Sequence, residues 1–147
     1  MPMGSKAIVE TDGKLRPVLV YGSLLSDIVF SKVTKITPKR ISNVILQDYR
    51  RVKVDNAPYP AIYPSEGAQV VGDLCEVGAD IIELLDRFES SLYKRITANV
   101  LVTLEKGIQS VEADVYVWNQ DLSKLSIYEW DYEYFKTYLL PGWSEVA

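Results

Sequence analysis

The chain of 147 residues contains one cysteine and no histidine, and these two counts remove most of the devices that pin a small domain together. An intrachain disulfide needs a second cysteine, and a structural zinc site needs Cys and His ligands in numbers this chain lacks. A hydrophobic core must hold the fold. An apolar share of 48% is that of a folded globule, and the length suits one domain with a real core. Cys75, in an apolar-alternating stretch, reads as a small buried hydrophobe, and a chain without disulfides suits a reducing, cytoplasmic setting. The same counts restrict chemistry. A Ser-His-Asp triad and a Cys-His dyad are both excluded. An enzyme built on this chain without a cofactor must move protons with Asp, Glu, Lys or Tyr.

Short strand-like segments dominate the pattern. Residues 17–21 (PVLVY) are apolar and β-branched and end at Gly22. Residues 43–49 and 51–54 are strand-like, and Pro58-Tyr59-Pro60 is extended or turning. In residues 69–77, Val71, Asp73, Cys75 and Val77 alternate with Val70, Gly72, Leu74 and Glu76. One clear helix follows, with Asp80 as its expected N-cap and Glu83 closing a capping box. Residues 96–104 and 111–118 form an expected hairpin around Glu105-Lys106-Gly107. Residues 126–140 are expected to be wholly or partly helical. Many strands and few helices predict an α+β fold: a small mixed β-barrel with one main packed helix and an aromatic-rich C-terminal helical segment. Residues 1–16 are expected to be a flexible N-terminus, partly an expression scar, and residues 17–147 a single domain.

Partners are narrowed by charge and hydropathy. Sixteen basic residues face twenty acidic ones, a net charge of −4, whereas nucleic-acid binding calls for a basic face. Lys35, Lys39, Arg40, Arg50, Arg51 and Lys53 read as solvated surface. No apolar run approaches the ~20 residues that span a bilayer, so neither nucleic acid nor membrane is an expected partner. The aromatic residues Trp118, Tyr128, Trp130, Tyr132, Tyr134, Phe135, Tyr138 and Trp143 are expected mostly to pack on the sheet and close one end of a cavity. An exposed patch among them would instead indicate a homodimer or partner surface.

Two positions stand out as candidate chemistry. On a helical wheel at ~100° per residue with Ile81 at zero, Leu85 falls at roughly 40°, Ile82 at roughly 100° and Phe88 at roughly 340°. Glu89 falls near 80°, inside this apolar arc, while Glu83 and Arg87 lie opposite. A carboxylate withdrawn from water has a raised pKa; the alternative is that the last helical turn frays and frees Glu89 to solvent. The second candidate is the turn Tyr21-Gly22-Ser23-Leu24, where a strand ending in Gly-Ser can direct backbone N–H groups at an anion, or simply end the strand.

Taken in order, VLVYGSLLS (18–26), YPAIYPSEG (59–67), VVGDLCEV (70–77), LLDRFESSLYKR (84–95), DVYVW (114–118) and the aromatic stretch 128–135 resemble the γ-glutamylcyclotransferase-like family, including its plant avirulence-induced members. The resemblance implies a cofactor-independent acyltransferase that cyclises a γ-glutamyl amine or amino acid to 5-oxoproline and releases the amine. It implies Glu89 as proton acceptor and donor, and Tyr21, Gly22, Ser23, Leu24, Leu25 and Ser26 as the substrate-binding loop. Tyr93 and Tyr116 match aromatic positions lining the cavity. Where the family has Gly after the catalytic Glu, this chain has Ser90. That departure would tilt Glu89 and favours a second reading, a catalytically silent metabolite- or protein-binding module on the same fold.

Overall fold

The computed structural model describes residues 15–142. Residues 1–14 and 143–147, Trp143 among them, lie outside the described residues. Arg16, assigned above to the flexible start, is the first residue of β1 (Arg16–Val20). There follow a 3-10 turn (Ser23–Leu25), α1 (Asp27–Thr34), β2 (Arg40–Lys53), β3 (Pro60–Val77), α2 (Ala79–Glu89), β4 (Tyr93–Leu104) and β5 (Gly107–Trp118). The last helix, α3 (Tyr132–Tyr134), continues as a π turn through Leu139.

The expectation of a small mixed β-barrel with one main helix is corrected in two respects. Strand pairings run β1-β3-β2-β4-β5 and return to β1, but the joins are unequal. β2 meets β4 through one residue pair, Ile45 opposite Leu101, and β1 meets β5, in parallel, through two. The sheet consists of two long antiparallel hairpins, β2–β3 and β4–β5, with short β1 between them, rather than an evenly walled barrel. Irregularity in β2 accounts for the narrow seam. Its register with β3 shifts between Ile41 and Val44 and between Gln47 and Tyr49, with Asn43 and Asp48 at φ 61° and 67°. Such bulges increase twist and interrupt pairing.

The second correction is that, among the described residues, three helices accompany the sheet: α1 is added to the one main helix, α2, and to α3, which lies in the expected C-terminal segment. α1 was hidden in the sequence because Ile28, Val29, Val33 and Thr34 are β-branched and read as strand formers. Two local signals nevertheless fix it: the Ser26 hydroxyl accepts from the Val29 N–H at 3.3 Å as N-cap, and Lys35 ends the helix at φ 68°. α2 begins two residues earlier than expected, with Gly78 rather than Asp80 at the cap and no side-chain cap bond.

Strand alternation divides the core into two layers. Val18, Val20, Cys75 and Val77 face the helices, packing with Val29, Phe30, Ile81, Ile82, Leu85, Trp130 and Phe135. Leu19, Tyr21, Val70 and Leu74 face the other way, into the concave side of the sheet with Val44, Leu46, Ile62, Val100 and Val115. Each large side chain fully buried contributes about 1.5–3 kcal/mol, so both layers are needed to offset chain entropy. Burial pushes the Cys75 thiol up to about 12, consistent with an inert packing residue. Gly72 in β3 lets β1 approach: a Cβ there would lie 2.2 Å from the Val20 carbonyl oxygen.

Aromatic side chains of the C-terminal segment divide between core and surface. Trp118, Trp130 and Phe135 are buried, whereas Tyr128, Tyr134 and Tyr138 are exposed. Trp130 donates from Nε1 to the Pro58 carbonyl at 2.8 Å, bracing the 58–60 turn. Among the described residues none of the segment lines the cavity below, so the expected closure of one end is corrected to support from behind. No helix among the described residues is long and apolar enough to cross a membrane.

Candidate active site

A cavity of about 340 Å³ lies where the end of β1, the end of α2 and the start of β4 converge. The Tyr21-Gly22-Ser23-Leu24 turn, Glu89, Tyr93 and Tyr116 all line it. Leu25 and Ser26, also expected there, are not among the lining residues: Leu25 packs on the helix-side core, and Ser26 is spent capping α1. Leu19, Val20, Tyr59, Pro60, Phe88 and Leu92 complete the walls. Sequence reading had not assigned these to the site. The one visible signal was the extended Pro58-Tyr59-Pro60 run, whose meaning depends on its distant packing against Gly22.

The turn is held by side chains from β2. Arg51 Nη1 donates to the Tyr21 carbonyl at 2.8 Å, and Arg40 Nη2 donates to the Leu24 carbonyl at 2.8 Å. These guanidiniums had been read as solvated surface. Arg40 instead also pairs with Asp27 and Asp73, and Arg51 lies over the Trp130 ring. Within the turn, Leu25 N–H donates to the Gly22 carbonyl and Ser26 N–H to the Ser23 carbonyl. The N–H groups of Gly22, Ser23 and Leu24 take no part in those bonds, as the first N–H groups of a helical turn cannot. Gly22 is required by contact: a Cβ there would come within 2.8 Å of Pro60 Cγ.

α2 ends at Glu89, which lines the same cavity. Ser90 has φ 64° and ψ −168°, a region essentially reserved for glycine, and its N–H donates to the Asp86 carbonyl. The serine adopts the glycine-type exit, and Glu89 faces the cavity rather than tilting away. Although the residue is partly exposed at the helix end, its carboxyl is enclosed by apolar and aromatic walls. That burial, followed by the nearby charge of Asp86, pushes its pKa up to about 8.

Three phenols surround the carboxyl, and each is anchored. Tyr21 donates to the Tyr116 carbonyl. Tyr93 donates to the Pro60 carbonyl at 2.7 Å, and its ring meets Trp118 edge-on. Tyr116 donates to Asp86 Oδ1 at 2.7 Å. All three are pushed upward, chiefly by burial, with the Glu89 charge adding to each. Burial would also raise Asp86, but hydrogen bonds from Arg95 and Tyr116 outweigh it and hold the carboxyl below its ordinary value. Arg95 in turn bridges Asp86 to buried Asp114, which Arg16 grips with two 2.8 Å bonds. Among the described residues no group of three or more His, Cys, Asp or Glu is arranged to hold a metal ion.

Fold and cavity together define a class: small α+β proteins in which one desolvated carboxyl and a strand-exit turn line the same pocket. The family described as gamma-glutamyl cyclotransferase, AIG2-like, matches residues 18–134, and the chain belongs to it. AIG2-like protein D of Arabidopsis thaliana is 30% identical over 134 residues, covering 90% of this chain and 87% of that protein. A solution structure of an Arabidopsis thaliana protein, 29% identical, superposes with a TM-score of 0.69 over 85% of this chain and 83% of its own. An AIG2-like protein from Mus musculus shares the fold at 22% identity, with a TM-score of 0.62 over 80% of this chain and 88% of its own.

Proposed function

We propose that this protein is a cofactor-independent γ-glutamylcyclotransferase that converts a γ-glutamyl amine or amino acid to 5-oxoproline and a free amine. Family membership supports the reaction type. The observation that carries the assignment to this cavity is the position of Glu89, a desolvated carboxyl lining the same pocket as the Tyr21–Leu24 turn.

The substrate's α-nitrogen attacks its own γ-amide carbonyl carbon. A ring C–N bond forms and the amide C–N bond breaks. Tethering of the nucleophile already supplies most of the entropic advantage, so the remaining task is proton transfer. The α-ammonium begins with three protons: one stays on the ring nitrogen, and two pass to the leaving amine, which departs as an ammonium. Glu89 carries them in turn, accepting from the attacking nitrogen and donating to the departing one. N–H groups of Gly22, Ser23 and Leu24 bind the substrate carboxylate or the developing oxyanion.

Serine at position 90 was the feature favouring a silent binding module; its glycine-like conformation, with Glu89 lining the cavity, supports the catalytic reading. Glu89→Gln keeps the shape but cannot shuttle protons. We expect at least ~100-fold loss in kcat for 5-oxoproline release, the lower end for acid–base catalysis, from a panel of γ-glutamyl amines and amino acids. Equal turnover by the two proteins would refute the role. Tight binding of the panel by the unsubstituted protein with no product would favour the binding module.

A further inference from the structure

A guanidinium withdrawn from water is costly unless a carboxylate compensates it. The two arginines that grip the Tyr21–Leu24 turn differ in this respect. Arg40 bonds the Leu24 carbonyl and is neutralised by Asp27 and Asp73. Arg51 is half-buried, and among the described residues no carboxylate is in ion-pair contact with it. Its partners are neutral: Nη1 donates to the Tyr21 carbonyl at 2.8 Å and to the Val71 carbonyl at 3.3 Å, and the guanidinium lies over the Trp130 ring. Glu129 and Asp131 act on it only as more distant charges. Arg51 does not line the cavity, whereas Tyr21 and Gly22 do. No described peptide is cis, so the N–H of the Tyr21–Gly22 peptide points opposite to its carbonyl. With that carbonyl on Arg51, the Gly22 N–H is directed away from Arg51. The Ser23 and Leu24 N–H groups belong to peptides whose carbonyls accept from Leu25 and Ser26. Three successive peptides are thus polarised through their carbonyls, the first of them by a full charge.

We infer that Arg51 is a positioning residue for the reaction: from outside the cavity, and through the Tyr21–Gly22 peptide, its uncompensated charge strengthens the turn's hold on the substrate carboxylate. The inference rests on the cyclotransferase reading, in which N–H groups of the turn meet that carboxylate. It adds the source of positive potential for a cavity whose lining residues include no Lys or Arg. Guanidinium, peptide and carboxylate in series span about 8 Å. At that separation and an effective dielectric of about 20, a unit charge still alters affinity more than ~10-fold. The charges of Glu129 and Asp131 oppose it, and about 5- to 10-fold is expected. Arg40, paired with two aspartates, exerts no comparable field.

Two ligands separate charge from fit: 5-oxoproline, and its neutral primary amide, 5-oxoprolinamide, which keeps the ring and lacks the carboxylate. Their dissociation constants are measured by NMR titration of the full-length protein at neutral pH. The unsubstituted protein is expected to prefer the acid. Arg51→Met should weaken the acid about 5- to 10-fold and the amide less than about 2-fold. Arg51→Lys, which keeps the charge, should retain most of the preference. Arg40→Met, the loss of a compensated arginine at the same turn, should weaken the two ligands alike. Without ligand, the Gly22 amide nitrogen resonance should move upfield in Arg51→Met, because the carbonyl of its peptide loses a charged donor. In turnover, KM should rise with kcat little changed, the mark of lost uniform binding. An unchanged acid-to-amide ratio in Arg51→Met, or its loss in Arg51→Lys as well, would overturn the charge role and leave cyclisation intact. Equal binding of acid and amide by the unsubstituted protein would remove the carboxylate from the turn and Arg51's role with it; cyclisation itself is judged separately, by 5-oxoproline release. Should Arg51→Met fail to fold, Arg51→Gln, a donor without charge, decides by the same ratio.

Discussion

Glu89 should reveal itself in the stability of the protein before any substrate is found. Its carboxyl is raised from 4.5 to about 8 by burial first and the Asp86 charge second. Between those two pH values the folded chain holds a proton that the unfolded chain has released, so stability falls as pH rises. The contribution is fully present below about pH 4.5 and lost as pH rises through about 8. A shift of that size corresponds to at most about 5 kcal/mol at 1.36 kcal/mol per unit. Water entering the cavity to solvate the ionised form reduces it, and on the order of 2–3 kcal/mol is a realistic expectation. Glu89→Gln mimics the protonated acid at every pH and should abolish this dependence. Urea denaturation at pH 5 and pH 8.5 measures it: the difference between the two proteins should change by that amount, with Glu89→Gln relatively more stable at the higher pH. Parallel stability–pH curves would mean that the carboxyl is solvated in the folded state, and the proposed chemistry would lose its physical basis.

Ser90→Gly should stabilise the fold without altering turnover. Relief of a glycine-region backbone is worth about 1–3 kcal/mol, against about 0.5–1 kcal/mol for the added freedom of the unfolded glycine; a net gain of about 1 kcal/mol in urea denaturation is expected, and no gain would show that Ser90 is unstrained. Asp86→Asn retains an acceptor for the Tyr116 hydroxyl but removes the charge facing Glu89. The inflection in the kcat/KM–pH profile should therefore move below its unsubstituted position near pH 8, yet stay above the ordinary glutamate range because burial by Tyr21, Tyr93 and Tyr116 remains. An unmoved inflection would assign Asp86 a structural role only.

The elements closest to the proposed chemistry were legible in the sequence because their signals are local. Glu89 lies on the apolar arc of α2 through helical periodicity alone, and Gly22 marks the strand exit. The two faces of β3 follow from alternation, with Cys75 and Val77 toward the helices and Val70 and Leu74 toward the concave side. Loss of α1 from the sequence reading has an equally local cause, since its β-branched residues imitate a strand and tertiary burial of Val29 and Phe30 overrides that preference.

What only the folded chain decided is which distant residues serve the site. Arg51 and Arg40 carry no mark that separates them from solvated cations, yet desolvation at the Tyr21–Leu24 turn makes its carbonyls their partners. Pro60 becomes a wall because it packs on Gly22. Asp86 becomes the partner of Tyr116, thirty positions along the chain. Periodicity fixes the face on which a side chain lies; the direction of a hydroxyl proton depends on which acceptor the other strands bring within reach, and that is a property of tertiary packing.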